Sequence, residues 1–326
     1  MRTWIAPAFF LSLSAFLVVQ VFGQMGGSSM RVGDKVAKPK FGPEIKDIFF
    51  PDAREKVGSG IPPGGPIVPE GNTGTKTPLV VNTPPVTPTV PPPASGEATK
   101  WSEVISAEFL EAEIKAQATI AENATRIAGP FKAKEYKTAQ SAFSMLSIMF
   151  GVLAQYDEEI RWKENATGMR DELAKAAAAC KTGDQYQAAK VQATSVGDLV
   201  RGIKIDVPAG QGTPAWSSLA EINAIMQRME LSQQKRMRPA LASEADFKAE
   251  KEMIMHEASI MAVLAEVIQD KGFDAADNDD YQGWARSMKV AAIEIVTACK
   301  QDAHANATSN AAALGKACND CHEGYR

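Results

Sequence analysis

The chain has 326 residues, of which 45% are hydrophobic and 23% are charged, and its formal net charge is −4. This length allows two domains of about 110 residues once flanking tails are set aside. The mildly acidic balance argues against nucleic acid or an anionic membrane surface as the main partner.

Residues 1–23 have the pattern of an export signal peptide. The basic start Met1-Arg2-Thr3 is followed by an apolar run from Trp4 to Gly23, with small residues suited to cleavage before Gln24. The run is also close to the length that spans a bilayer, so an uncleaved membrane anchor is the alternative. Either interpretation exports the rest of the chain.

Residues 24–100 are rich in Gly, Pro and Thr. Such a composition cannot bury a packed core, and it predicts a disordered, extended spacer. Within the spacer, the more apolar residues 41–57 are either incidental or a short helix or docking peptide.

After Trp101 the sequence acquires helical periodicity and loses most of its proline and glycine. The pattern predicts an all-α fold with four helices in residues 101–210 and four in residues 215–326. The expected helices cover residues 101–128, 132–156, 164–181 and 185–202, and then residues 216–238, 246–271, 281–300 and 307–325.

The two stretches repeat short matches in the same order and at similar spacing. Matching pairs are Trp101-Ser102 with Trp216-Ser217, Phe131-Lys-Ala133 with Phe247-Lys-Ala249, Ser147-Ile-Met149 with Ser259-Ile-Met261, and Ala179-Cys-Lys181 with Ala298-Cys-Lys300. This repetition predicts tandem duplication of one up-down four-helix bundle.

The last predicted helix carries the most specific chemical motif, Cys318-Asn-Asp-Cys321-His322. It is a C-x-x-C-H haem attachment motif, and its helical spacing places all three side chains on one face. The thiols can add to the vinyl groups of one haem c, with His322 as axial ligand of the iron. A zinc half-site or redox dithiol is disfavoured, because the chain has only 4 cysteines and 3 histidines and no βαβ context.

The corresponding part of the first stretch, residues 195–201, contains no cysteine, and all three histidines lie in the second stretch. Residues 101–210 are therefore expected to form a haem-free bundle. Its interior is expected to be filled by side chains such as Phe143, Met145, Met149 and Phe150.

With Tyr325 and Arg326 after the motif, the ending Gly315–Arg326 resembles the cytochromes c′, the class II c-type cytochromes. The resemblance is strong over residues 215–326 and weak over residues 101–210. It implies a four-helix bundle with the haem on the last helix, Trp284 packed near the haem, and Arg326 near a propionate or the proximal imidazole. It also places Met226, or less favourably Met229, on the distal side of the iron. We expect Met226 to fill space there, which leaves the iron five-coordinate.

Of four further residues, three have two possible interpretations, and His304 has one. His256 is either a second axial ligand or, as we expect, a boundary residue hydrogen-bonded at one nitrogen. His304 falls in a polar turn and is expected to be solvated. Cys180 and Cys299, at equivalent positions, are either small buried thiols or a disulfide across an interface.

The sequence therefore predicts an exported, non-enzymatic c-type cytochrome, periplasmic or anchored facing the periplasm. It is expected to transfer electrons to a redox partner protein or to bind a small gas such as NO or CO. No acid–base pair or activated nucleophile suggests catalysis, no nucleic acid partner is expected, and a homodimer is compatible with the sequence. The alternative is an interaction protein in which the haem-free bundle and the Pro-rich arm recruit a partner, with the haem mainly stabilising the second bundle.

Overall fold

The computed structural model describes residues 99–325, and within this range the chain forms helices joined by turns, without strands. The predicted all-α class is confirmed. The predicted signal peptide, almost all of the predicted spacer, and Arg326 lie outside the described residues.

The first half contains four long helices. They are α1 (Ala107–Ala124), α2 (Tyr136–Ala154), α3 (Ala166–Ala179) and α4 (Tyr186–Val200), preceded or joined by the short elements Trp101–Val104, Ala128–Pro130, the π-helical turn Phe131–Glu135, and the 3-10 turns Lys163–Asn165 and Gly183–Gln185. The predicted helix over residues 101–128 is broken before α1. Ser106 caps α1, and its hydroxyl accepts a hydrogen bond from the backbone N–H of Phe109 at 3.3 Å.

The second half also contains four long helices. They are α5 (Ile222–Glu230), α6 (Lys251–Val267), α7 (Asp279–Lys300) and α8 (His304–Tyr325), with short elements at Trp216–Ser218, Leu231–Met237, Arg238–Ala240 and Glu244–Ala249. The predicted helix over residues 216–238 instead begins as a 3-10 turn and continues beyond α5 as a π-helical segment. The backbone N–H of Trp216 donates to the carboxylate of Asp270 at 3.0 Å, which fixes the start of this region.

Neighbouring helices bury one apolar core that includes residues of both halves. α2 packs against α1 and α3, α4 packs against α1, and α7 packs against α6 and α8. The predicted burial of Phe143, Met145, Met149 and Phe150 is confirmed, since each is at most 2% exposed. Within residues 99–325, no helix has the length and apolar character needed to cross a membrane.

A buried ionic network joins the two halves. The guanidinium of Arg228 donates to both carboxylate oxygens of Glu113 on α1, at 2.8 and 2.9 Å, and to Glu257 on α6 at 2.7 Å. The side chains are 4%, 1% and 0% exposed, respectively. A second contact between the halves is made by the rings of Trp101 and Trp216, which meet edge to face with centroids 5.7 Å apart.

The charge of Arg228 decides the ionisation of these buried carboxyl groups. Burial alone would raise the pKa of Glu113, but the hydrogen bond and positive charge of Arg228 hold it below its usual value. Burial would likewise raise the pKa of Glu257, but hydrogen bonds from His256 and Arg228, together with the charge of Arg228, hold it far below its usual value. Both groups are therefore carboxylates at neutral pH.

The connection between the halves lies against α3. Arg170, 3% exposed, donates to the carbonyls of Gln211 and Gly212 at 3.0 and 3.2 Å. The chain crosses α3 so closely that a Cβ added to Gly168 would lie 2.2 Å from the carbonyl oxygen of Pro208. Only glycine at position 168 permits this approach.

Candidate haem attachment site

The C-x-x-C-H motif lies in the last turns of α8. Cys321 is buried, Cys318 is half-buried and His322 is exposed. Because residues three and four apart are neighbours on a helix, the two sulfurs and the imidazole belong to adjacent turns of one surface. The predicted helical placement of the motif is confirmed.

α7 supplies the wall that faces the motif. Asn278 caps α7 by accepting hydrogen bonds from the backbone N–H groups of Asp280, at 2.8 Å, and Tyr281, at 3.4 Å. From this start, Tyr281, Trp284 and Met288 follow at positions i, i+3 and i+7 and share one face of the helix.

Two kinds of contact connect this wall with α8. The Sγ atom of Cys318 lies 3.4 Å from the Sδ atom of Met288. The ring of Tyr325 packs edge to face against Tyr281, with centroids 5.7 Å apart, and against Trp284 at 5.8 Å. The Tyr281 hydroxyl donates to the carbonyl of Ile268 at 3.1 Å, which ties this cluster to the end of α6.

The thiols of the motif are protonated at neutral pH. Burial raises the pKa of Cys318 to about 11, and burial also raises the pKa of Cys321. A thioredoxin-like dithiol needs the opposite, a lowered pKa that exposes a reactive thiolate. The surroundings therefore disfavour a redox dithiol.

The residues present fit a covalently attached haem. Two thiols one turn apart, an adjacent imidazole and an apolar wall would provide the attachment points, a ligand for the iron and a hydrophobic contact surface.

The other residues implied by the resemblance lie on different elements. Trp284 is half-buried beside the motif, whereas Met226 is half-buried on α5 and packs against the core. Met229 is buried at 5% exposure. The sulfur contact recorded for Cys318 comes from Met288, so the structure adds a methionine that the sequence interpretation did not single out.

The remaining histidines have structural partners. In His256, Nδ1 lies 3.3 Å from Glu257 Oε1 and Nε2 lies 3.5 Å from Glu113 Oε2, so this residue borders the ionic network. The expectation that His304 is solvated is wrong. It is half-buried, its Nε2 lies 3.0 Å from the carbonyl oxygen of Leu241, and its ring packs on Phe247 at 5.3 Å.

Cys180 and Cys299 are both free thiols, and both are fully buried. Burial raises the pKa of each to about 11. Of the two alternatives given by the sequence, buried thiols or a disulfide across an interface, the structure shows buried thiols.

Sequence reasoning missed two features. Tyr281 and Met288 could have been found from their i, i+7 spacing on the face that carries Trp284. The charged residues of the ionic network appear in the sequence only as interruptions of apolar stripes.

Comparison of the chain with protein-family models, curated proteins and solved structures finds no match.

Proposed function

We propose that the protein is an exported c-type cytochrome with one covalently attached haem, acting in electron transfer or in binding a small gas at the iron. The observation that carries the proposal is the end of α8, where Cys318, Cys321 and His322 lie on adjacent helical turns. Burial raises the pKa of both thiols, and the facing wall of α7 is apolar and aromatic.

Each residue has a distinct role in this proposal. Cys318 and Cys321 would hold the haem through two thioether bonds, and the His322 imidazole would coordinate the iron. Tyr281, Trp284 and Tyr325 would offer an aromatic contact surface on one side of the attachment site through the edge-to-face packing of Tyr325 on the other two rings. A bound haem would supply a one-electron redox centre and a metal able to bind diatomic gases.

The finer architecture of this proposal is a pair of tandem four-helix bundles. Similar contacts at the two repeated Trp-Ser pairs support it: the N–H of Ser102, second in its pair, donates to Asp157 at 2.8 Å, and the N–H of Trp216, first in its pair, donates to Asp270 at 3.0 Å. The repeated Phe131 and Phe247 are both 0% exposed. Shared capping and shared core positions are what a duplicated unit retains.

In this arrangement the first bundle is haem-free. Its fourth helix, α4, carries neither cysteine nor histidine, and its interior is closed by apolar side chains. The first bundle then contributes the Glu113 carboxylate to the ionic network and presents surface to partners, while the chemistry resides in the second bundle.

Haem content of the purified full chain tests the proposal. A pyridine haemochrome spectrum and an intact mass should both report one haem per chain after expression with a periplasmic haem attachment system. Cys318→Ser/Cys321→Ser should abolish covalent haem. Cys180→Ser/Cys299→Ser is the matched control, removes two buried thiols elsewhere, and should retain it. A wild-type mass equal to that of the processed polypeptide alone would refute the proposal.

The alternative function, recruitment of a partner by the first bundle, makes a different prediction. A reversible redox couple with a natural redox partner would favour electron transfer. Partner binding retained by a chain that ends at Gly210 would favour recruitment.

A further inference from the structure

A groove lies between α1 and the start of α6, on a different part of the molecule from the C-x-x-C-H motif. It has a volume of about 510 Å³. Its α1 wall is formed by Phe109, Ala112 and Ala116, and its opposite wall includes Ala249 and Met253. Phe109, Ala112 and Ala116 follow at i, i+3 and i+7, so they form one apolar stripe along α1.

The stripe continues beyond the groove and contains small residues. Ala112 and Ala116 are exposed, and Ile120, one turn further along α1, is 37% exposed. Alanine at successive turns lets the backbone of another helix approach closely, and an exposed apolar stripe on a helix is a feature of helix-in-groove recognition.

The rims of the groove carry exposed carboxylates. Glu108 lies on the α1 side, and Glu250 and Glu252 lie on the α6 side. All three are exposed, and none forms an ion pair with another residue of the range 99–325. Carboxylates on both rims favour a ligand that carries positive charge on both flanks of its apolar face.

The floor of the groove is rigid. His256 packs edge to face on Phe109 with centroids 5.7 Å apart, and its Nδ1 is 3.3 Å from Glu257. Glu257 is in turn ion-paired with Arg228 and with Arg236, which also lines the groove. The buried ionic network thus holds the two walls at a fixed separation, and a preformed groove reduces the entropic cost of binding.

We propose that this groove is a docking site for an amphipathic helix of a partner protein, with an apolar face bordered on both sides by lysine or arginine. The apolar stripe and Met253 contact the apolar face, and Glu108, Glu250 and Glu252 pair with the flanking cations. Methionine and alanine walls adapt to different apolar side chains, so the charge pattern selects the partner. The inference is independent of the haem, and its failure leaves the proposed function intact.

A synthetic helical peptide is the probe for this site. It has about 18 residues, or five turns, with leucine and alanine on one face, lysine on both flanks, and a fluorophore for anisotropy titration against the full chain. We expect saturable binding. Exchanging each lysine for glutamate in the peptide should abolish it.

Two groove variants test the two halves of the recognition. Glu108→Gln/Glu250→Gln/Glu252→Gln should weaken peptide binding by about tenfold or more. Ala112→Gln/Ala116→Gln keeps helix propensity, fills the stripe with polar bulk, and should weaken binding to a similar extent. The matched control Asp184→Asn/Asp206→Asn/Asp274→Asn removes the same charge from exposed sites elsewhere and should change the affinity by less than about twofold. Circular dichroism verifies that each variant is folded.

Three results would overturn the proposal. An equal loss of affinity in the control variant would mean that the peptide responds only to the net charge of the protein. Unchanged binding by Ala112→Gln/Ala116→Gln would mean that the peptide does not contact the stripe. Concentration-dependent self-association of the chain without peptide, abolished by the same groove variants in sedimentation velocity, would assign the groove to a second copy.

Discussion

Replacing Arg228 with leucine should destabilise the protein far more than replacing any exposed arginine. The guanidinium is 4% exposed and supplies four hydrogen bonds, two to Glu113 and one each to Ser232 and Glu257. Its removal leaves the Glu113 carboxylate, 1% exposed, with one hydrogen bond from Gln117 at 2.9 Å. Breaking a buried pair in this way costs about 3–5 kcal/mol, a large part of the total stability of a domain.

Urea unfolding of the full chain, followed by circular dichroism, measures this loss. Arg201→Leu is the matched control, because Arg201 also pairs with two carboxylates, at 2.8 and 2.9 Å, but is 51% exposed. Screening by solvent makes the loss at Arg201 much smaller than the loss at Arg228. Adding Glu113→Gln to Arg228→Leu should recover part of the stability, since it removes the unpaired charge.

The pH dependence provides a second, independent test. In the native protein the pKa values of Glu113 and Glu257 are held below the usual value of about 4.3, so the network stabilises fully above that pH and weakens as pH falls below it. Without Arg228 the effect of burial dominates and raises the pKa of Glu113, so protonation relieves the variant as pH falls. The difference in unfolding free energy between wild type and Arg228→Leu should therefore become smaller from pH 7 to pH 4. A difference below about 1 kcal/mol at pH 7, or one that grows in acid, would refute this reasoning.

Three further outcomes follow from the structure. We expect Met226 only to fill space, so the wild type should be five-coordinate and high-spin in the ferrous state. Met226→Leu should leave this spectrum and CO binding unchanged. Conversion of a low-spin wild type to high spin would instead show that the Met226 sulfur ligates the iron. Residues 101–210 expressed alone should show a cooperative thermal melt without haem, and Glu113→Gln should raise its melting temperature; a broad, non-cooperative transition would mean that this half needs the other. Gly168→Ala should cost about 1–3 kcal/mol in urea unfolding, because its Cβ would lie 2.2 Å from Pro208, whereas Gly129→Ala, with no atom within 4 Å, should not destabilise.

The helices could be predicted because each has its own apolar periodicity. α7 and α8 fall close to the expected residues 281–300 and 307–325, since the signal is local to the segment. The breaks could not be predicted equally well. The one before α1 depends on the Ser106 cap, and the one at Trp216 depends on Asp270, which is distant in sequence.

The candidate site divides in the same way. The C-x-x-C-H motif could be recognised because its five residues are consecutive in the sequence. The contact of Met288 with Cys318 could not be predicted, because it depends on how α7 packs on α8. His304 was expected in solvent because its sequence neighbours are polar. It is half-buried because Phe247 and the carbonyl of Leu241, from an earlier element, lie against it.

The four cysteines show why geometry, and not thiol acidity, has to distinguish the proposed attachment pair. Burial raises the pKa of Cys180, Cys299 and Cys318 alike to about 11, so none of the three is a reactive thiolate at neutral pH. Of these three, only Cys318 has a second thiol one helical turn away, that of Cys321, which is followed directly by the imidazole of His322. Cys180 and Cys299 are each followed by lysine and are 0% exposed. A thiol titration of the denatured holoprotein should therefore find two reactive groups, those of Cys180 and Cys299, out of the four free cysteines of the polypeptide. Four reactive groups in a haem-containing sample would mean that the haem is held without thioether bonds, and that the spacing of the motif does not serve attachment.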